Sequence, residues 1–211
     1  MVTAWGYLWR TTPMHRSETA GSLPGDGPPS LPEGTATDGI QLPENGHGPL
    51  LRRRYRVDVL DAAVSAEDLM GRIAADLNQV VPWGLAHFER LRGAEGALAL
   101  GDEFAVRMPG PWDGPVRVIE RTPRSWRFAT LQDHLEAGQI EWRAADDDGA
   151  LRFEVESWSR PGDRLSHLLH HHLRMAKEVQ LHMWMSVLER VTRLAGGRMR
   201  DGISICTRIA D

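Results

Sequence analysis

The hydrophobic period of this chain changes in a fixed order, and that order limits the folds open to it. Tyr55, Val57 and Val59 alternate with Arg54, Arg56 and Asp58, the period-two pattern of a half-buried strand. Ser65-Ala66-Glu67-Asp68 then reads as an N-cap with acids in the first turn. It opens a helix carrying Leu69, Ile73, Leu77 and Val80 at helical spacing, closed before Pro82. The period returns to two in short runs: Phe104, Val106 and Met108; Val116, Val118 and Ile119; Trp126, Phe128 and Thr130; Ile140 and Trp142; Leu151, Phe153, Val155 and Ser157. Turn-forming stretches at 109–115, 122–124 and 146–149 separate these runs, which predicts an antiparallel meander. From Asp163, a second plausible cap, the pattern stays helical to Leu194. Roughly 32 residues at 1.5 Å each span on the order of 48 Å, enough to cross a whole sheet.

A twisted antiparallel sheet of this size curls, and its concave face must be covered. The terminal helix is the only element long enough to do so. Leu165, Leu169, Ala176, Val179, Met183, Val187, Val191 and Leu194 form its apolar stripe, widened by Leu173, Leu181, Trp184 and Leu188. The predicted class is therefore α+β, a helix grip: a curved antiparallel β-sheet wrapped around a long C-terminal α-helix. The space between the two is the default ligand site. Phe104, Val106, Trp126, Phe128, Trp142, Phe153, Met183 and Trp184 are expected to face it. Trp112, on a proline-stiffened loop, either gates its mouth or anchors the loop.

Composition sets the boundaries. Residues 1–50 hold 7 of the 13 prolines and 8 of the 21 glycines, and no hydrophobic period follows Trp9. They are expected to be a flexible leader with too little apolar surface to offset its ordering entropy. Trp5, Tyr7, Leu8 and Trp9 in it are expected either to dock on the domain or on a partner, or to lie upstream of a true start at Met14. The body is expected at 51–195, and Gly196-Gly197 stops its helix. Residues 196–211 form a tail whose Ile203, Ile205 and Ile209 suit an edge strand.

The same numbers exclude function classes. A formal charge of −4 argues against a protein that wraps nucleic acid. One cysteine, Cys206, excludes an intrachain disulfide framework. No run approaches the roughly 18 apolar residues of a membrane span, and the first residues lack a signal-peptide pattern. A cytoplasmic protein is expected. Lys177 is the only lysine among 25 basic residues, a bias that GC-rich codons explain more simply than Arg-specific recognition does.

The most distinctive segment, 126–139, sets His134 and Glu136 two apart at a turn between strands. On an extended chain such residues point the same way. The pair is either a general acid/base with its orienting partner or a structural device that satisfies backbone groups of the hairpin. Arg127 is a candidate for a charged ligand contact.

Arg127-Phe128-Ala129, Thr130-Leu131, His134, Glu136 and Gly138, then Asp148-Gly149 and the strand 153–161, resemble the family called domain of unknown function nineteen-ninety, found in bacteria and plants. The resemblance runs over about 50–195 and is best over 126–161. It implies the layout shared by START lipid-binding domains, the birch-pollen allergen type and polyketide cyclases, a helix-grip cup around a hydrophobic ligand. The family pattern has a glycine before the histidine and a Gly-Glu pair after it; this chain has Asp133 and Gly138-Gln139.

Other clusters read more plainly as structure. His167 and His171 are spaced to share a metal on one helical face, but three adjacent histidines, 170–172, point in three directions. No metal site or cofactor is expected. Asp146-Asp147-Asp148-Gly149 lacks the later Glu of a calcium loop and reads as a hairpin turn. Arg54 and Arg56 read as the charged face of an edge strand. The Gly-x-Gly patterns open no helix, and Ser157, Ser159 and Ser166 lack a nucleophile-elbow context.

The expected function is binding of a hydrophobic or aromatic small molecule between sheet and helix. The alternative is a cyclase- or hydrolase-type enzyme of natural-product metabolism in which His134 moves protons, and a third class is a protein-interaction module docking through the leader. No nucleic-acid partner and no membrane span are expected. Oligomeric state does not follow from the sequence.

Overall fold

The computed structural model describes residues 12–108, 113–162 and 170–210, the side chains of 170–179 excepted. In chain order the elements are β1 (Met14–Ala20), β2 (Leu50–Leu60), α1 (Ala66–Ala75), β3 (His87–Arg92), β4 (Glu103–Arg107), β5 (Asp113–Thr122), β6 (Ser125–Thr130), β7 (Glu136–Asp147), β8 (Ala150–Pro161), α2 (His170–Ala195) and β9 (Arg198–Ala210). The strands form one open sheet in the order β1-β9-β2-β8-β7-β6-β5-β4-β3. Helix α2 covers its inner face, and the fold is a helix grip. Every pairing is antiparallel but one: β1 runs parallel to β9, so the expected antiparallel sheet is in fact mixed.

Local chemistry places the elements. Ser65 caps α1, its hydroxyl accepting from the Asp68 amide at 3.1 Å, while Asp146 of β7 accepts from the Ala66 amide at 3.0 Å. The acidic turn thus stitches the hairpin to the helix. Its tip, Asp148-Gly149, has positive φ at both residues (45° and 73°), the two-residue geometry that matches strand twist.

On the inner face Trp126, Phe128, Trp142 and Phe153 are at most 1 % exposed. Trp142 stacks on Trp126 at 5.6 Å between centroids and meets Trp184 of α2 at 5.6 Å and Phe153 at 6.1 Å. Each such side chain contributes about 1.5–3 kcal/mol by burial.

Three expectations are corrected. Residues 12–50 are no loose leader. They contribute β1, and a strap from Gly21 to Gly48 lies against the outer face. There Arg127 Nη2 donates to Ser30 O (3.1 Å), Gln139 Nε2 to Pro29 O (3.2 Å), and Arg117 Nη1 to Ala36 O and Asp38 O (both 2.9 Å). Buried side chains of the sheet supply the partners that the strap's poor hydrophobicity could not. Residues 198–210 form a 13-residue strand between β1 and β2, not an edge. Consequently β2 is interior too, and its outward arginines serve an ion network. Arg52, Arg54 and Arg143 converge on Glu156 at 2.8, 3.2 and 2.7 Å. Strand β3 is additional to the expected elements; its run Phe88-Glu89-Arg90-Leu91-Arg92 is an edge with too few buried positions to show a period.

Candidate functional site

At one end of the grip the inner face changes character on five neighbouring strands. In β2, Val59, Val57 and Tyr55 give way to Arg53. In β8, Leu151, Phe153 and Val155 give way to Ser157 and Ser159; in β7, Ala144, Trp142 and Ile140 give way to Gly138 and Glu136. In β6, Trp126 and Phe128 lead to Thr130, and in β9, Ile205 leads to Thr207. The register aligns these changes, since Arg53 faces both Ser157 and Thr207, and Ser159 faces Gly138. The cup therefore has an apolar floor and a polar end.

The polar end is organised around an ion pair between a buried arginine and a half-buried glutamate. Arg53, with 9 % of its side chain exposed, donates through Nη1 to Gln180 Oε1 of α2 at 3.0 Å and to Glu136 Oε1 at 3.4 Å. Ser159 Oγ donates to the other Glu136 oxygen at 3.1 Å. Tyr55 lies next along β2, its ring 5.7 Å from Trp184. Burial pushes its phenol up to about 12, the Arg53 charge lowering it and the Glu136 charge raising it, so it stays a protonated donor at neutral pH. Gly138 is required here: a Cβ would lie 2.0 Å from Trp158 O. The geometry offers a cation, an anion and hydroxyls around one spot beneath the helix.

His134 sits at the same end, in the turn before β7. Asp133 has φ 73°, the left-handed conformation that a glycine adopts freely. The turn takes His134 out of the strand, so it does not alternate with Glu136 as an extended pair would. Its Nδ1 accepts from the Glu136 amide at 2.9 Å, and its Nε2 edge packs on Gly114, where a Cβ would approach to 2.8 Å. Desolvation lowers the imidazole below its usual value, against the raising effect of the Glu136 charge. With the folded value depressed, the unfolded chain takes up the proton first. Stability is therefore full above the ordinary value of about 6.5 and declines as pH falls below it. His134→Asn, which keeps an acceptor but does not titrate, is expected to flatten the urea-midpoint profile between pH 7.5 and 5.5.

The remaining candidates are distributed as follows. Phe104, Trp126, Phe128, Trp142, Phe153, Met183 and Trp184 are all brought together and buried, against one another. Phe104 also lines a solvent-open cleft of about 150 Å³ with Leu77, Phe88 and Leu98, smaller than the roughly 300–1,000 Å³ of a metabolite site. Arg127 is on the outer face, paired with Glu120 at 2.8 Å. It alternates with Trp126 and Phe128, so it cannot reach the cup. Trp112, His167 and Ser166, and the Trp5–Trp9 aromatics, lie outside the described residues, as do the side chains of His170, His171 and His172. Among the described residues no His, Cys, Asp and Glu cluster could hold a metal ion, and no helix is long and apolar enough to cross a membrane.

Sequence reasoning does not place Arg53, Ser159, Gln180 or Thr130 in the site: Ser159 is set aside there as a nucleophile, and Thr130 is read as a strand position. The signal for Arg53 is present, because it shares the parity of Tyr55, Val57 and Val59. The Arg-rich run hides it.

Among solved structures, the chain is similar to KanY protein (ms6282), with a TM-score of 0.50 at 10% identity, covering 68% of this chain and 96% of that one. The di-domain ARO/CYC StfQ from the steffimycin biosynthetic pathway gives 0.49 at 10% identity over 73% and 52%. Norcoclaurine synthase from Thalictrum flavum, in complex with dopamine and hydroxybenzaldehyde, gives 0.46 at 10% identity over 71% and 92%. Likeness at such identity shows fold alone. No curated protein matches by sequence. The model of the family described as Domain of unknown function (DUF1990) matches residues 44–190, from before β2 to within α2, and the chain belongs to that family.

Proposed function

We propose that this protein binds an amphipathic small molecule, its apolar part toward Ile140, Met183 and Trp184 and its polar head at Arg53, Glu136 and Ser159. The observation that carries the reading is the aligned change from apolar to polar on adjacent strands, ending in a buried arginine that shares its donors between Gln180 and Glu136. A floor for stability alone has no use for an ion pair, which costs desolvation. It suits a ligand with a carboxylate or similar acceptor: Arg53 would exchange one intramolecular acceptor for that of the guest, while Tyr55 and Ser159 offer neutral donors. His134, with Nδ1 committed to the backbone, supports the hairpin under this head-group site, and the geometry favours binding over proton transfer by its imidazole.

The test uses the full chain and a fluorescent probe, 11-(dansylamino)undecanoic acid, with its methyl ester for comparison. Saturable binding is expected, weakened about tenfold or more by Arg53→Leu, the loss of a charge-assisted hydrogen bond. The ester should be indifferent to the substitution. An absence of saturable binding, or equal loss for acid and ester, would overturn the reading.

A further inference from the structure

Strand β1 closes one edge of the sheet, and all seven of its residues are exposed. Among the described residues nothing pairs with its free side. Its backbone direction is fixed by its inner neighbour: Ile203 N donates to Pro13 O at 2.9 Å, and Gly21 N donates to Ile209 O at 3.0 Å. Odd-numbered residues thus turn their N–H and C=O toward β9. By alternation Met14, Arg16, Glu18 and Ala20 turn theirs outward. This is an uncovered template for another strand, and it carries neither proline nor lysine to blunt it.

The charges on that edge name the partner. Arg16 and Glu18 share one face and are 4.0 Å apart. An antiparallel copy centred on Ser17 sets Arg16 opposite Glu18 of the second copy, twice, and pairs Met14 with Ala20. All four are outward-facing residues, so each opposition is a hydrogen-bonded pair. Sliding the register by two residues, the next shift that keeps outward-facing residues opposite one another, sets Arg16 against Arg16 in one direction and Glu18 against Glu18 in the other, and like charges directly opposite destabilise. One register is favoured and its neighbours are penalised.

We infer that β1 is a self-recognition edge through which two copies of this chain join antiparallel about Ser17, making one continuous sheet. A seven-residue edge buries less than a standard interface, so the dimer is concentration-dependent. At the axis Ser17 meets its own copy in a non-hydrogen-bonded pair, with Cα atoms about 4.5 Å apart, a separation that a disulfide spans.

Sedimentation of the full chain over rising concentration should show the mass approaching twice that of the monomer. Arg16→Glu should weaken association about tenfold, and the double variant Arg16→Glu/Glu18→Arg should restore it. In a Cys206→Ser background, which removes the thiol 3.0 Å from Ser17 Oγ, Ser17→Cys should form a disulfide-linked dimer on oxidation. A monomer at every concentration overturns the inference. So does a dimer that Arg16→Glu leaves unchanged or that Ser17→Cys does not crosslink. The substituted side chains are exposed, and circular dichroism checks that the fold is kept.

Discussion

Trp142→Ala is expected to lower stability by about 3–5 kcal/mol, the range for removing a large aromatic from a core. Trp142 is 1 % exposed and is the hub of the floor, in ring contact with Trp126, Phe153, Trp184 and Phe88. Those neighbours come from four separate elements, so no small local shift closes the space left behind. Urea unfolding should show a lower midpoint at an unchanged slope, and the melting temperature should fall by about 6–20 °C for a chain of this length. Trp83, 84 % exposed, is the control. Its replacement by Ala should stay within about 0.5 kcal/mol. A Trp142→Ala protein as stable as the wild type would mean that the helix is not seated on this floor.

The second large effect is expected on the other side of the sheet. Glu156, with 3 % of its side chain exposed, holds Arg52, Arg54 and Arg143. Burial alone would raise its carboxyl, but hydrogen bonds from Arg143 and Arg52 and the charges of Arg143 and Arg54 outweigh it and hold the group below its usual range. Glu156→Gln leaves three guanidiniums without their common anion. A loss of about 3 kcal/mol is expected, at the low end for a broken buried pair, because the arginines keep 26%, 41% and 29% of their side chains in water. The pH dependence has a definite sign. A depressed carboxyl stabilises above its unfolded value and loses that stability as pH falls through the folded one. The wild type should therefore weaken as pH drops below about 4.5, and the variant's denaturation midpoint should change less over that interval.

The floor of the cup is legible in the order of residues alone. Trp126, Phe128, Trp142 and Phe153 each sit in a run of period two, and parity assigns them to one face. The turns at Asp148-Gly149 and around His134 are legible for the same local reason. The polar end is only half visible. Glu136 stands out in its segment, but its partners lie 83 and 23 residues away, on β2 and β8, and local pattern carries no information about such pairings. Arg127 has the chemistry to meet a ligand, yet its parity places it on the opposite face.

By itself the sequence determined strands β2 and β4 to β8, both helices and which face of each is apolar, because these follow from side-chain spacing along a backbone of fixed period. Only the tertiary structure decided the strand order, the presence of β1 and β3, the interior place of β9, and the fate of residues 12–50. Their strap is held by its own backbone carbonyls accepting from Arg117, Arg127 and Gln139, and a carbonyl is the same whatever residue carries it. Composition reports what side chains can bury. It does not report which distant donors will find the main chain.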